Sequence, residues 1–170
     1  MDFRTLIRDV PDFPKPGILF RDITPLLADP KALQQMTNML AERYEAKGID
    51  KIAAIDARGF IFGAPLACKM GVGFVPVRKP GKLPNESIEE SYALEYGTNT
   101  ICMHLDSINP GEKVLVVDDL IATGGTLAAT CRLVERLGGT VTEVLTIIEL
   151  TDLKGRNQLG DRPIHAVMQF

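Results

Sequence analysis

VLVVDDLIATGGT, residues 114 to 126, decides how this chain is read. Val114, Leu115, Val116 and Val117 are apolar without alternation, the pattern of a strand buried on both faces of a parallel sheet. The run ends in Asp118 and Asp119, followed by a short apolar turn, then Thr123, Gly124, Gly125 and Thr126, then a helical pattern. Ligands of parallel sheets sit beyond the carboxyl ends of the strands, where the two acids fall. Glycines let backbone amides approach an anion closely, and the N-terminus of the following helix favours negative charge. Thr123 and Thr126 add hydroxyl donors. Two carboxylates beside a phosphate cradle make sense if they accept hydrogen bonds from sugar hydroxyls or act through a bound cation. The order of strand, acid pair, Gly/Thr loop and helix therefore predicts a pocket for a phosphorylated sugar. The bland alternative, a capped helix after solvated aspartates, requires all these features to coincide by accident.

Working outward, strands and helices alternate. Asp29-Pro30 reads as N-cap and first residue of a helix whose face is Leu33, Met36, Leu40 and Tyr44, ending at Lys47-Gly48. Strands are expected at 51–55, 72–77, 113–117 and 141–149, and helices near 63–70, after 125 and near 152–158. The first helix of that group has Pro65 in its first turn. Two strands near 88–95 and 100–105 suit a hairpin. The proline-rich segment from Pro11 to Pro30 is expected to be an extended arm, and a last strand near 164–168 to join it in a small lobe. The fold class is α/β: a parallel twisted sheet flanked by helices, with a small hood lobe and a flexible loop. Residues 1–170 are expected to form a single domain, with the arm (about 1–30) and a flap (about 78–104) covering the site.

Bulk properties exclude several classes. A net charge of -3 without a basic stripe gives no footprint for nucleic acid. The first ten residues are charged throughout and have no apolar core of a signal peptide, and the most apolar window (60–77) holds Lys69 and Pro65, so no membrane span is expected. Three cysteines, Cys68, Cys102 and Cys131, fall in expected helices or strands, which suits a reducing cytoplasm. Gly81-Lys82 is followed by Leu83, so there is no Walker-type phosphate loop, and Gly71 and Gly73 precede a strand instead of following one.

Other segments carry chemistry in combination. DARGF (56–60) follows a strand; Arg58 offers a bidentate fork to a diphosphate, and Gly59 and the following turn offer amides. Alone it reads as an ordinary turn. Arg78, Lys79 and Lys82 concentrate charge in a loop with Pro80, Gly81 and Pro84, which suits a lid. Alone it reads as a solvated loop.

Together with FPKPGILFRDITPLL (13–27), DARGFIFGAP (56–65), VPVRKPGKLP (75–84) and SYALEYG (91–97), the 114–126 run resembles the type I phosphoribosyltransferases, specifically their adenine-using branch. The resemblance extends from about Phe13 to Lys154. It implies transfer of a phosphoribosyl group from 5-phosphoribosyl 1-pyrophosphate (PRPP) to adenine, with Mg²⁺ held mainly by ligand and water, in a cytoplasmic homodimer. It assigns Asp118, Asp119, Ala122, Thr123, Gly124, Gly125 and Thr126 to the sugar phosphate. Ala57, Arg58, Arg78, Lys79, Lys82 and Tyr96 fall to the pyrophosphate, Leu19, Phe20, Arg21 and Leu150 to adenine, and Glu95 and Arg58 to catalysis. It further implies a cis peptide between Asp56 and Ala57. Relatives that use hypoxanthine and guanine carry an acid where this chain has Ala122, which leaves acid–base duty to Glu95. Another purine phosphoribosyltransferase, or a non-catalytic PRPP- or nucleotide-binding regulator, are the alternatives. The chain carries no helix-turn-helix signal, which weighs against the regulator.

Overall fold

The computed structural model describes residues 1–94 and 97–170. In chain order come a 3-10 turn (Phe3–Leu6), β1 (Arg8–Pro11), β2 (Leu19–Asp22), α1 (Thr24–Ala28), α2 (Pro30–Tyr44), β3 (Lys51–Ile55), α3 (Arg58–Met70), β4 (Gly73–Val77), β5 (Ser87–Ala93), β6 (Thr98–His104), β7 (Lys113–Ile121), α4 (Gly125–Arg136), β8 (Thr140–Glu149), 3-10 turns at Thr151–Leu153 and Gly155–Leu159, and β9 (Ile164–Gln169).

Five strands form a parallel sheet in the order β4-β3-β7-β8-β9. The unbroken apolar run of β7 is buried on both faces. Leu115 and Val117 join Ile52 and Ala54 of β3 under α2 and α3, while Val114 and Val116 join Ala53 and Ile55 under α4. The chain leaves β3 toward β4 on one side, and later leaves β7 toward β8 on the other. The carboxyl ends of β3 and β7 therefore flank the point where the winding reverses, the place where open α/β sheets bind ligands.

Local chemistry fixes the helix ends. Asp29 Oδ1 accepts the amides of Lys31 (2.9 Å) and Ala32 (3.1 Å), as its position before Pro30 requires. Gly48 ends the helical segment in the left-handed conformation. The antiparallel pair β5–β6 lies over α4, held by Arg132 Nε (2.6 Å) and Arg136 Nη1 (3.0 Å) on the Glu90 carboxylate.

Five expectations are corrected. β7 does not stop at the acids: Asp118 pairs with Thr146 and Ile121 with Glu149, because β8 supplies ladder partners that a hydropathy pattern cannot reveal. α3 starts at Arg58, so Pro65 is interior and not in the first turn. The last strand belongs to the main sheet beside β8 and not to a separate lobe. The arm is not simply extended; it folds into the β1–β2 hairpin and α1, with Pro25 near the helix start, where its missing N–H costs nothing. The helix expected near 152–158 is two 3-10 turns, separated by Lys154 in the left-handed conformation.

One buried charge ties α2 to the sheet. The Glu143 carboxylate accepts the Tyr44 hydroxyl (2.6 Å), Lys47 Nζ (3.0 Å) and Arg43 Nη2 (3.3 Å). Burial works to raise its pKa, but the Tyr44 hydroxyl, Lys47 and Arg43 outweigh burial and hold it below the usual carboxylate range. Tyr44→Phe removes one charge-assisted bond inside the core. It is expected to cost about 1.5–3 kcal/mol, read as a lower urea midpoint at unchanged slope.

Candidate active site

The site grows from the carboxyl ends of β3, β4 and β7. After β3 comes Asp56, then the Asp56–Ala57 peptide, which is cis as the resemblance implied. Arg58 opens α3 and places Nε 2.7 Å from Asp119 Oδ2 across the gap between β3 and β7. After β4, Arg78 donates from Nε to Asp56 Oδ2 (2.8 Å) and from Nη1 to the Lys82 carbonyl (3.2 Å), which draws the 78–82 loop toward the same end.

Ala57, Arg58, Arg78, Lys79, Asp118, Asp119 and Thr126 meet around a cavity of about 360 Å³. A smaller cavity of about 90 Å³ is lined by Ala122 to Thr126 and shares Asp118 with the first. A large chamber with a small side pocket at a helix N-terminus suits a sugar diphosphate with a separate terminal phosphate.

Asp119 is only 5% exposed and Asp118 is half-buried. The Asp119 amide donates to Asp118 Oδ1 at 2.9 Å. Burial, and next the charge of Asp119, push the Asp118 pKa well above the usual carboxylate range. Burial also raises Asp119, with Arg58 opposing it. Desolvated acids of this kind are strong hydrogen-bond acceptors for sugar hydroxyls.

The backbone of the 122–126 loop is shaped by what stands behind it. Gly124 has φ +86°, and a Cβ there would lie 2.2 Å from the Gly155 carbonyl oxygen. A Cβ on Gly155 would lie 2.3 Å from the Ala122 carbonyl oxygen. Only glycine permits this double backbone contact.

Not every expected residue lines these cavities. The Lys82 side chain is exposed. Leu19, Phe20 and Arg21 sit on β2; Phe20 is linked to the site through Arg58, whose Cζ lies 5.7 Å from its ring centroid. Arg21 is ion-paired with Asp9 and stacks on Phe170 (4.5 Å). Leu150 donates its amide to the Ile121 carbonyl (3.0 Å), at the end of β7. Glu95 and Tyr96 lie outside the described residues. Three residues were missed. Asp56 lies in the quoted DARGF turn, and its place after a strand was the available signal. Tyr92, in the quoted SYALEYG stretch, lines the larger cavity and hydrogen-bonds Thr126 Oγ1 at 2.7 Å. Gly155 lies in a stretch with no signal beyond its glycine.

The phosphoribosyl transferase domain matches residues 22–162, and the chain belongs to that family of enzymes. Its relatives narrow the class. The adenine phosphoribosyltransferase of Escherichia fergusonii is 60% identical over 158 residues, covering 93% of this chain and 86% of that one. The crystal structure of adenine phosphoribosyltransferase from Thermoanaerobacter pseudethanolicus superimposes with a TM-score of 0.96 at 51% identity, covering 99% and 98%. That of the Saccharomyces cerevisiae enzyme, complexed with adenine and an imino-altritol bisphosphate, does so at 0.93 with 39% identity, covering 98% and 97%. Within the family the chain belongs with the adenine phosphoribosyltransferases, which are pentosyltransferases.

A charged Asp118 opposes folding. Its pKa is higher folded than unfolded, so stability is greatest below the unfolded value and falls as pH rises through the folded one. Asp118→Asn keeps the acceptor for the Asp119 amide and carries no charge. It should raise Tm at pH 7 by about 2–4 °C, the shift that ~1 kcal/mol gives at this size, and the gain should shrink as pH falls toward 4. Thermal unfolding across that pH range checks it.

Proposed function

We propose that this chain transfers the phosphoribosyl group of PRPP to adenine, giving AMP and pyrophosphate, with the residues at the ends of β3, β4 and β7 as its machinery. The observation that carries the reading is the junction of an acid pair with a Gly/Thr loop on β7, faced by the cations Arg58, Arg78 and Lys79.

In this reading Asp118 and Asp119 hold the ribose hydroxyls, and Ala122, Thr123, Gly124, Gly125 and Thr126 bind the 5′-phosphate. Ala57, Arg58, Arg78, Lys79, Lys82 and Tyr96 face the diphosphate. Leu19, Phe20, Arg21 and Leu150 enclose adenine. The base nitrogen forms its bond to the sugar carbon as the carbon–oxygen bond to pyrophosphate breaks. Positive charge builds on the ring while the leaving group carries its electrons away, and Glu95 takes the proton that adenine loses. The chain's share is positioning and charge stabilisation.

Among the described residues, no group of three or more His, Cys, Asp and Glu side chains is placed to hold a metal ion. The donor set fits Mg²⁺ in its usual form on phosphate substrates, bound through ligand oxygens and water with Asp118 and Asp119 nearby. When bound it offsets charge on the diphosphate. A homodimer, a cytoplasmic location and a single domain with its arm and flap over the site complete the proposal. The three cysteines lie in or next to regular elements of one chain, in keeping with that compartment, and burial pushes the Cys131 thiol up to about 12 and Cys102 up to about 11, which keeps both unreactive.

Incubation with PRPP, MgCl₂ and adenine should yield AMP, while hypoxanthine, guanine and orotate yield little product. PRPP binding without AMP formation would instead support a regulator. The double variant Asp118→Asn/Asp119→Asn should lose at least about 100-fold in turnover while staying folded. Glu95→Gln should lower kcat by about 100-fold or more with smaller effects on substrate affinity, and an unchanged kcat would remove its assigned role.

A further inference from the structure

Behind the phosphate loop stands an ion-pair network to which the reaction gives no task. Glu149 ends β8 with its carboxylate buried. It accepts Arg156 Nε at 2.6 Å and Nη2 at 2.7 Å, and Gln169 Nε2 at 2.9 Å. Arg156 Nη1 also donates to the Ile164 carbonyl at 3.4 Å. One guanidinium thus joins the end of β8, the start of β9 and the Gly155–Leu159 turn. A bidentate fork fixes both distance and direction. The carboxylate is buried while the Arg156 side chain stays 42% exposed, and a pair of this kind adds little net stability, so directional constraint is its stronger contribution.

The peptide that this fork constrains is the one in contact with the loop. Gly155 immediately precedes Arg156, and its backbone meets Ala122 and Gly124 with no side chain between them. Lys154, on the other side of Gly155, takes a left-handed conformation (φ 52°) that a non-glycine residue adopts only where its surroundings impose it. A displacement of the turn is therefore passed directly to the loop amides.

We propose that Glu149 and Arg156 are positioning residues that set the 122–126 loop for its phosphate by holding the Gly155 peptide against the back of the loop. This rests on the reading that the loop binds the 5′-phosphate. The test compares ligands that differ only in that group. AMP and adenosine affinities are measured by calorimetry for the full chain, for Arg156→Lys, which keeps the charge but loses the fork, and for Glu149→Gln. Arg156→Lys and Glu149→Gln are expected to weaken AMP about tenfold and leave adenosine unchanged. KM for PRPP should rise in step, with kcat changing less.

If the wild-type preference for AMP is intact but both variants keep it, or lose affinity equally for the two ligands, the positioning role is overturned. If the wild type shows no preference for AMP, or Thr126→Val and Gly124→Ala leave it untouched, the phosphate reading itself fails. The double variant Glu149→Gln/Arg156→Met leaves no charge buried alone, so it guards against a variant that merely unfolds. It should lose the AMP preference at a Tm within a few degrees of wild type, and retention of the preference there also overturns the role.

Discussion

The contact between Arg58 and Asp119 is the constraint on which the site is built. Asp119 lies at the end of a strand buried on both faces, beside a second carboxylate. Two adjacent acids in so dry a place repel each other and resist ionisation. The guanidinium that offsets them comes from the first residue of α3, on the far side of the winding reversal. It reaches Asp119 because β3 and β7 are neighbours in register, Lys51 beside Val114 and Ala54 beside Val117. Pairing of two strands distant in sequence is thus what makes the acid pair tolerable.

That arrangement places charge where folding would not choose it. Beneath the site the sheet is apolar on both faces, and the polar groups collect at one end, where the strands stop. Asp56 with Arg78, and Asp119 with Arg58, are partly offset by each other, yet Asp118 keeps no cation at ion-pair distance among the described residues. Such a residue weakens the fold, which is the arrangement expected if the site is organised for a ligand's charge distribution in place of its own stability.

Much of this was legible in the sequence because local chemistry and burial agree there. β3 covers the expected 51–55 and ends where its apolar run does, Asp29 caps the helix that its Pro30 announces, and the two short strands between Ser87 and His104 form the expected hairpin. The misreadings share a cause: each depends on a partner far along the chain. β7 continues through two aspartates because β8 pairs with it. β9 could have joined either lobe, since a short apolar run does not say which edge it extends. The helix expected near 63–70 starts instead at Arg58, and Gly59 and Gly63 both lie in α3 where it packs closely on the sheet, a contact that only the distant strands reveal. Gly155 matters through a backbone contact with residues more than thirty positions earlier, and nothing local marks it.

The two ends of the site also differ in how they are held. The acid pair and the 122–126 loop are continuous with the central strand and the helix behind it, so the sheet positions them. Apart from Leu150, the residues proposed for adenine lie on β2 of the arm, whose hairpin is closed by Arg21 on Asp9 and which meets the ring of Phe170 through Arg4 and Arg21. Phe13, Ile18 and Leu19 are 51%, 44% and 46% exposed there, apolar surface that a flat base can cover. The sugar phosphate would thus meet the rigid part of the molecule and the base an appended one. Arg58 bridges the two, paired with Asp119 on one side and lying over Phe20 on the other, so the residue that permits the acid pair also connects it to the arm.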